Sequence, residues 1–227
     1  MPCSKPVASP CHALPYTMSF MKNTLLVGLN NIHERARIDA RDPRLPAFLT
    51  YIAGICDVLA LHVKADERFF RARMQKGKAL ADILGQGCLP DLRDVLVRVK
   101  GLKDAVNAYA KTPQRYDPAR IIALLSFGDD FRRKLGTQIT SVDVRVVANA
   151  VPADEMAAAL KGIIEWMCTQ SDITFLVPFI HAHHNRASSQ YWPPMTREGW
   201  EVLPMMAKQY ASCWELAPYK STAFAKK

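Results

Sequence analysis

The chain has 227 residues, of which 49% are apolar and 22% are charged. This balance excludes extended disorder and predicts a packed core. No apolar run approaches the roughly 20 residues that a membrane-spanning helix needs, so we expect no contact with a membrane. The net charge is +9, but basic and acidic residues are interspersed, which favours a solvated basic surface over a nucleic-acid-binding protein.

The N-terminus and the cysteines indicate where the protein resides. Residues 1–16 contain Pro2, Pro6, Pro10 and Pro15 and no long apolar stretch, which is unlike a secretory signal. The six cysteines include no CxxC pair and no zinc-finger spacing. We therefore expect a reduced, cytoplasmic protein whose residues 1–16 form a flexible tail.

Beyond the tail, apolar residues recur at the three- and four-residue spacing of helices along most of the chain. Four long helices are predicted, over residues 17–40, 46–74, 90–111 and 118–139. Asp117 followed by Pro118 has the form of a helix start. Because the connections are short, this pattern predicts an all-α fold with an antiparallel four-helix bundle over residues 17–148.

Residues 149–227 are predicted to form a C-terminal helical extension that packs on the bundle. Residues 153–166 and 201–210 have helical patterns, whereas the apolar stretch 175–184 fits either a helix or a strand. The chain has no glycine-rich phosphate-binding loop, so nucleotide binding through such a loop is not indicated.

The first indication of chemistry is the pair His62 and Asp66, which stand one helical turn apart and project from the same face. A histidine and a carboxylate at this spacing are a normal half-site for a metal in a helix bundle. An exposed aspartate beside a partly buried histidine gives the same pattern. The pair alone therefore does not decide between a metal site and an ordinary helix surface.

The wider sequence resembles the hemerythrin-like family with the HHE cation-binding domain, in the form common in fungi. Five segments carry this resemblance in the family's order: VGLNNIHERA (27–36), LHVKADERFF (61–70), KGLKDAVNAY (100–109), FRRKLGTQITSV (131–142) and VPFIHAHHN (177–185). The resemblance implies a four-helix bundle that surrounds a di-iron centre.

The chain departs from the ligand pattern that this resemblance implies. His62 and Asp66 match a histidine and an acidic residue of the family. The remaining ligand positions are occupied here by Lys22, Leu96, Lys100, Lys134 and Gln138. A protonated ammonium has no lone pair for a metal, and two ligands are too few for two iron ions. We therefore expect the di-iron site to be lost, no cofactor to be bound, and Asp66 to pair with a lysine.

Lysines at a former metal site suggest a different chemistry. Desolvation makes a buried lysine easier to deprotonate, so that it acts as a general base or forms a Schiff base with a carbonyl compound. The expected catalytic residues are Lys22, His62, Asp66, Lys100, Lys134 and Gln138. The alternative is that these lysines lie on the surface, where Lys134 forms an exposed ion pair with Asp130.

Four further residues are the expected lining of a substrate pocket. His33 lies three helical turns after Lys22 on nearly the same face, and Glu67 directly follows Asp66. His184 lies in the family-like segment of the extension, and Trp192 belongs to an aromatic turn placed to cross the bundle mouth. The alternative for His33 is a hydrogen bond to a neighbouring helix, and the alternative for Trp192 is a place in the core.

The sequence thus predicts a metal-independent enzyme that acts on a small molecule by acid–base or amine-assisted cyclisation, isomerisation or lyase chemistry. The resemblance to fungal proteins implies a natural-product substrate. Two alternatives stay open: an iron-binding, oxygen-handling protein that uses His62, Asp66 and Glu67, and a non-catalytic module that binds an anion or a partner. The sequence does not indicate an oligomeric state.

Overall fold

The computed structural model describes residues 9–74, 77–189 and 192–219. Residues 1–8 of the predicted tail and residues 220–227 of the predicted extension lie outside the described residues. Within the described ranges the chain is helical and has no β-strand, which confirms the all-α class. The helices are α1 (Pro10–Arg35), α2 (Leu45–Arg71), α3 (Leu80–Leu84), α4 (Arg93–Lys111), α5 (Pro118–Leu124), α6 (Gly128–Thr140), α7 (Val144–Ala150), α8 (Ala153–Thr169), α9 (Ile173–His183), α10 (Arg197–Lys208) and α11 (Ala211–Trp214).

The first helix starts earlier than the sequence pattern indicates. Pro10 lies in the first turn of α1, where its missing N–H and its fixed φ are tolerated. Cys11 and Leu14 are buried in an apolar cluster with residues of α2, α3 and α7. Residues 10–16 are therefore helical and packed, and do not belong to a loose tail.

The predicted fourth helix is two helices. α5 starts as expected, because the Asp117 carboxylate accepts hydrogen bonds from the backbone N–H groups of Ala119 and Arg120. The chain then turns at residues 125–127 before α6 begins. Phe127 is buried in this turn, so the apolar pattern continues across the break and conceals it in the sequence.

The other helices pack around α1 and α2. α1 contacts α2 and α6, α2 contacts α4, and α4 contacts α5. From the C-terminal part, α8 and α9 each contact both α1 and α2, and α10 covers α9. The apolar stretch 175–184, for which helix and strand were both open, is the helix α9 and its C-terminal cap.

α2 is more apolar than we expected from the sequence, which predicted no helix suited to span a membrane. By length and composition this helix is apolar enough to cross a membrane, and 56% of its most apolar window is buried against other parts of the chain. Core helices of globular proteins meet the same criterion, because burial on all sides selects the same residues.

A buried polar network joins the C-terminal part to α1 and α2. The His183 Nδ1–H group donates to the Phe179 carbonyl over 2.8 Å, which leaves Nε2 to accept from the Tyr51 hydroxyl at 2.5 Å. The Asn31 amide donates to the Tyr51 hydroxyl over 2.7 Å and to the Leu216 carbonyl over 2.8 Å. Burial lowers the pKa of His183 to about 4, so at neutral pH the ring is uncharged and these bonds persist.

Candidate functional site

The structure brings three of the predicted residues into direct contact. α1 carries Lys22, and α2 carries His62 and Asp66. The Lys22 ammonium donates to Asp66 Oδ2 over 2.7 Å and lies 3.1 Å from His62 Nε2. His62 Nε2 and Asp66 Oδ2 are 3.4 Å apart. Lys22 is 1% exposed and His62 5% exposed, so a cation and an imidazole lie in the protein interior.

Local sequence explains why Lys22 points inward. On α1 it continues a stripe of buried residues at helical spacing that contains Leu14, Met18, Leu25 and Leu29. A lysine in such a stripe cannot reach water without unwinding the helix. Its charge must therefore be balanced inside the protein, and the Asp66 carboxylate provides that balance.

The polar residues separate the two apolar clusters of the core. On α1, Met18 belongs to the smaller cluster and Leu25 to the larger one, with Lys22 between them. On α2, His62 and Asp66 lie between Leu59 of the larger cluster and Phe69 of the smaller one. The same order recurs around Gln138 of α6, where Leu135 of the helix belongs to the larger cluster and Val142, two residues after the helix ends, belongs to the smaller one. The centre is thus one polar layer across three helices.

Hydrogen-bonding rules fix the protonation of this layer. An ammonium only donates, so His62 Nε2 accepts from Lys22 and the ring proton is on Nδ1. His62 Nδ1 is buried and has no hydrogen-bond partner among the described residues. Burial lowers the pKa of His62 to about 4, opposed by Asp66 and reinforced by Lys22. Burial would raise the pKa of Asp66, but His62, Lys22 and the Gln138 amide together hold it below its usual value. At neutral pH the His62 imidazole is therefore uncharged and Asp66 is a carboxylate.

Gln138 completes the layer from α6. Its Nε2 donates to the Cys88 carbonyl over 3.0 Å, and its amide helps to hold the pKa of Asp66 below its usual value. Gln138 is 1% exposed, and its Oε1 is buried without a hydrogen-bond partner in the described part of the chain. A buried acceptor without a partner costs about 1–3 kcal/mol, so this atom is unusual in an otherwise well-packed core.

A surface cleft of about 350 Å³ reaches this layer. Asp66 and Gln138 are part of its lining, and the Asp66 side chain is 15% exposed. Its apolar walls are formed by Val63, Leu89, Pro90, Leu92 and Leu96. We call this space the Asp66 cleft. Its volume lies at the lower end of the range for small-molecule sites.

Two ion pairs border the Asp66 cleft. Arg71 pairs with Glu67 one turn earlier on α2 at 3.0 Å, and Arg93 pairs with Asp91. Each basic group at the border thus has an acidic partner, as Lys22 has Asp66 beneath. Sequence reasoning found Glu67 but missed Asp91 and Arg93, because two exposed charges next to a helix start look like ordinary surface.

Two of the predicted catalytic lysines are not part of the centre. Lys100 is exposed on α4 and forms a 2.6 Å ion pair with Asp104. Val99, not its neighbour Lys100, occupies the buried face of α4. Lys134 lies on α6 one turn before Gln138, with its side chain 22% exposed and its ammonium 2.8 Å from Asp130. The surface ion pair considered as the alternative for Lys134 is therefore the observed arrangement.

The four expected pocket residues are dispersed. His33 is exposed and lines a separate depression with Leu26 and Arg132, far along α1 from Lys22. Glu67 is exposed and lies at the border of the Asp66 cleft, not beside His62. Neither residue therefore contributes to the buried layer.

His184 and Trp192 have structural contacts instead. The His184 Nε2–H group donates to the Ser189 carbonyl over 2.8 Å, and its ring packs edge-on against Trp192. Both rings also contact Phe20 of α1. Both residues are buried, which agrees with the core alternative for the aromatic residue.

The donor set of the polar layer does not fit a di-iron centre. His62 and Asp66 are the two ligand-type side chains there, and the Lys22 ammonium contacts both of them. Glu67, the third residue of the iron alternative, forms an exposed ion pair with Arg71. Among the described residues, no group of three or more His, Cys, Asp or Glu side chains is placed to hold a metal ion.

No protein-family model, curated protein or solved structure matches this chain significantly. The hemerythrin-like resemblance therefore stays a prediction from the sequence.

Proposed function

We propose that this protein is a metal-independent enzyme that moves protons on a small neutral molecule bound in the Asp66 cleft. The observation that carries the proposal is the place of Asp66. Its carboxylate pairs with a buried ammonium on one side and borders a ligand-sized cleft on the other. A carboxylate in such a position is ionised, held in one orientation and close to a bound molecule, as a general base must be.

In the proposed reaction, Asp66 takes a proton from a carbon atom next to a carbonyl group. The electron pair of the broken C–H bond passes to the carbonyl oxygen, and an enolate forms. Return of the proton to the same carbon restores the substrate, whereas its return to a neighbouring atom gives an isomer. The step needs no oxidant, because only a proton changes place.

Lys22 and His62 are positioning residues in this scheme. The ammonium holds the carboxylate ionised, and the neutral imidazole accepts a second ammonium hydrogen. This division of roles departs from an amine-assisted reaction. Because the Lys22 nitrogen is enclosed and paired with Asp66, a Schiff base there requires loss of the ion pair and entry of substrate past Asp66.

The charges around the cleft support a neutral substrate. An anionic molecule meets guanidinium groups that already have carboxylate partners, and a cationic one meets Asp66, which already has Lys22. The apolar walls beside Asp66 and Gln138 favour a molecule that has both apolar and polar groups. The natural-product substrate implied by the sequence resemblance fits this description and stays part of the proposal.

We also propose that α1, α2, α4 and the α5–α6 pair form a hemerythrin-like bundle in which an ammonium replaces the metal ions. In support, four positions that the resemblance assigns to metal ligands, those of Lys22, His62, Asp66 and Gln138, meet in one layer. The iron-binding alternative has less support. Two of these four residues, His62 and Asp66, are conventional iron ligands, and two are too few for a di-iron centre. A non-catalytic binding module stays the main competitor, since a cleft and a buried ion pair suffice for it.

Hydrogen–deuterium exchange tests the proposal without knowledge of the natural substrate. The protein is incubated in D2O with cyclohexanone, acetoin and 2-hydroxycyclohexanone, and deuterium entering the carbon next to the carbonyl is followed by NMR. We expect exchange above background with at least one compound, lost in Asp66→Asn and kept in the matched control Asp104→Asn, which changes an exposed carboxylate. Equal rates for the wild type and Asp66→Asn with every compound contradict the proposal.

A further inference from the structure

Gln138 presents an acceptor that the protein itself does not use. Its side chain is among the most buried polar groups of the described chain, at 1% exposed. Its Nε2 donates to the Cys88 carbonyl, whereas its Oε1 has no hydrogen-bond partner among the described residues. Gln138 also lines the Asp66 cleft. A buried, unpartnered oxygen beside a ligand-sized space is an observation independent of the ion pair.

The orientation of the amide is fixed, so the unpartnered atom is the oxygen. The Cys88 carbonyl is an acceptor, so the NH2 end of the amide faces it. Rotating the amide by half a turn places its oxygen against the Cys88 carbonyl oxygen, which is unfavourable. The free end of Gln138 therefore accepts hydrogen bonds and does not donate them.

We infer that Gln138 determines specificity by accepting a hydrogen bond from a hydroxyl group on the carbon that Asp66 deprotonates. This inference rests on the proposed function and narrows its substrate class to neutral α-hydroxy ketones and aldehydes. Gln138 and Asp66 line the same cleft, so in the proposed complex the carbon that faces the carboxylate carries a substituent that meets Oε1. A hydroxyl there satisfies the buried acceptor, and a hydrogen atom or an ether oxygen in its place does not.

The chemistry of this class agrees with the polar layer. Removal of the proton from the carbon that bears the hydroxyl gives an enediolate. Return of a proton to the former carbonyl carbon, with transfer of the hydroxyl proton to the former carbonyl oxygen, exchanges the two functional groups. Atoms and electrons balance within the substrate, and Asp66 is regenerated.

Binding of two matched compounds tests the inference. 2-Hydroxycyclohexanone and 2-methoxycyclohexanone share a ring and a carbonyl group, and they differ in the presence of a hydrogen-bond donor. Dissociation constants are measured by ligand-observed NMR titration. For the wild type we expect about tenfold tighter binding of the hydroxyl compound, the size of one neutral hydrogen bond to a buried acceptor. In Gln138→Met, which keeps the length of the side chain without its oxygen, we expect a ratio near one.

The outcomes separate this inference from the proposed function. Equal affinity of the two compounds for the wild type overturns the role of Gln138, whether or not the variant folds. A preference that survives in folded Gln138→Met also overturns it. A preference that is lost in Gln138→Met but accompanied by no Asp66-dependent exchange supports the role of Gln138 in binding and contradicts the catalytic proposal. In Asp66→Asn we expect the hydroxyl preference to remain, because Oε1 is unchanged.

Discussion

Replacing Lys22 by methionine tests the energetics of the buried layer. Methionine keeps most of the aliphatic stem, so the change removes the charge and leaves little cavity. Asp66 then stays in a largely buried position with no cation, a situation that costs about 3–5 kcal/mol of unfolding free energy. Because the Asp66 side chain is 15% exposed, water and protonation relieve part of this cost. We therefore expect a value near the lower end, about 3 kcal/mol.

Urea unfolding followed by circular dichroism at neutral pH measures this cost. The matched control is Lys100→Met, which removes a lysine from the exposed Lys100–Asp104 pair and should leave the unfolding midpoint nearly unchanged. Combining Lys22→Met with Asp66→Leu removes both charges, and we expect the double variant to lose clearly less than the sum of the single losses. Additive losses, or a Lys22→Met cost no larger than that of the control, refute the account of the layer.

Three further predictions concern acid stability, packing and pH dependence. The pKa of His183 is lowered from 6.5 to about 4, so its stabilising contribution is complete above pH 6.5 and is lost as pH falls towards 4. This loss lowers the free energy of unfolding by up to about 3 kcal/mol. A free energy of unfolding that is equally independent of pH in the wild type and in His183→Gln contradicts the prediction. Gly54→Ala places a methyl group 2.2 Å from the Phe175 ring and should destabilise the protein by about 1–3 kcal/mol. Gly136→Ala adds a methyl group in open space and should stabilise the protein by about 1 kcal/mol. Chemical denaturation compares the two variants, and equal effects contradict the packing described for Gly54. Because the pKa of Asp66 is lowered, the Asp66-dependent exchange rate should stay level between about pH 8 and about pH 5. A loss of exchange with its midpoint inside this range contradicts Asp66 as the base.

The sequence-based predictions succeeded where helical periodicity and burial agree. Lys22, His62 and Gln138 fall on apolar faces of strongly patterned helices, so each is buried as expected. Asp66 follows from its place one turn after His62 on the same helix. That these side chains from α1, α2 and α6 meet was expected from the resemblance. Periodicity gives the buried face of one helix, but it does not show which residues of other helices lie opposite.

The failures have the same origin. Lys100 directly follows Val99, and a displacement of one residue turns a helix by about 100 degrees, which is the difference between a core position and an ion pair with Asp104. His33 was placed on the same face as Lys22, but small rotational errors accumulate over three turns. The unpartnered Gln138 oxygen was not predictable, because it depends on a backbone carbonyl at Cys88 that no side-chain pattern reveals.

Deuterium exchange in a preparation whose iron content has been counted tests the central claim most directly. The protein is expressed with added iron and its metal content is measured. Exchange of 2-hydroxycyclohexanone is then compared before and after treatment with a chelator. We predict exchange that depends on Asp66, persists after chelation and does not vary with iron content. Near-stoichiometric iron, with exchange that disappears on its removal, contradicts an ammonium-based centre and supports the iron-binding alternative.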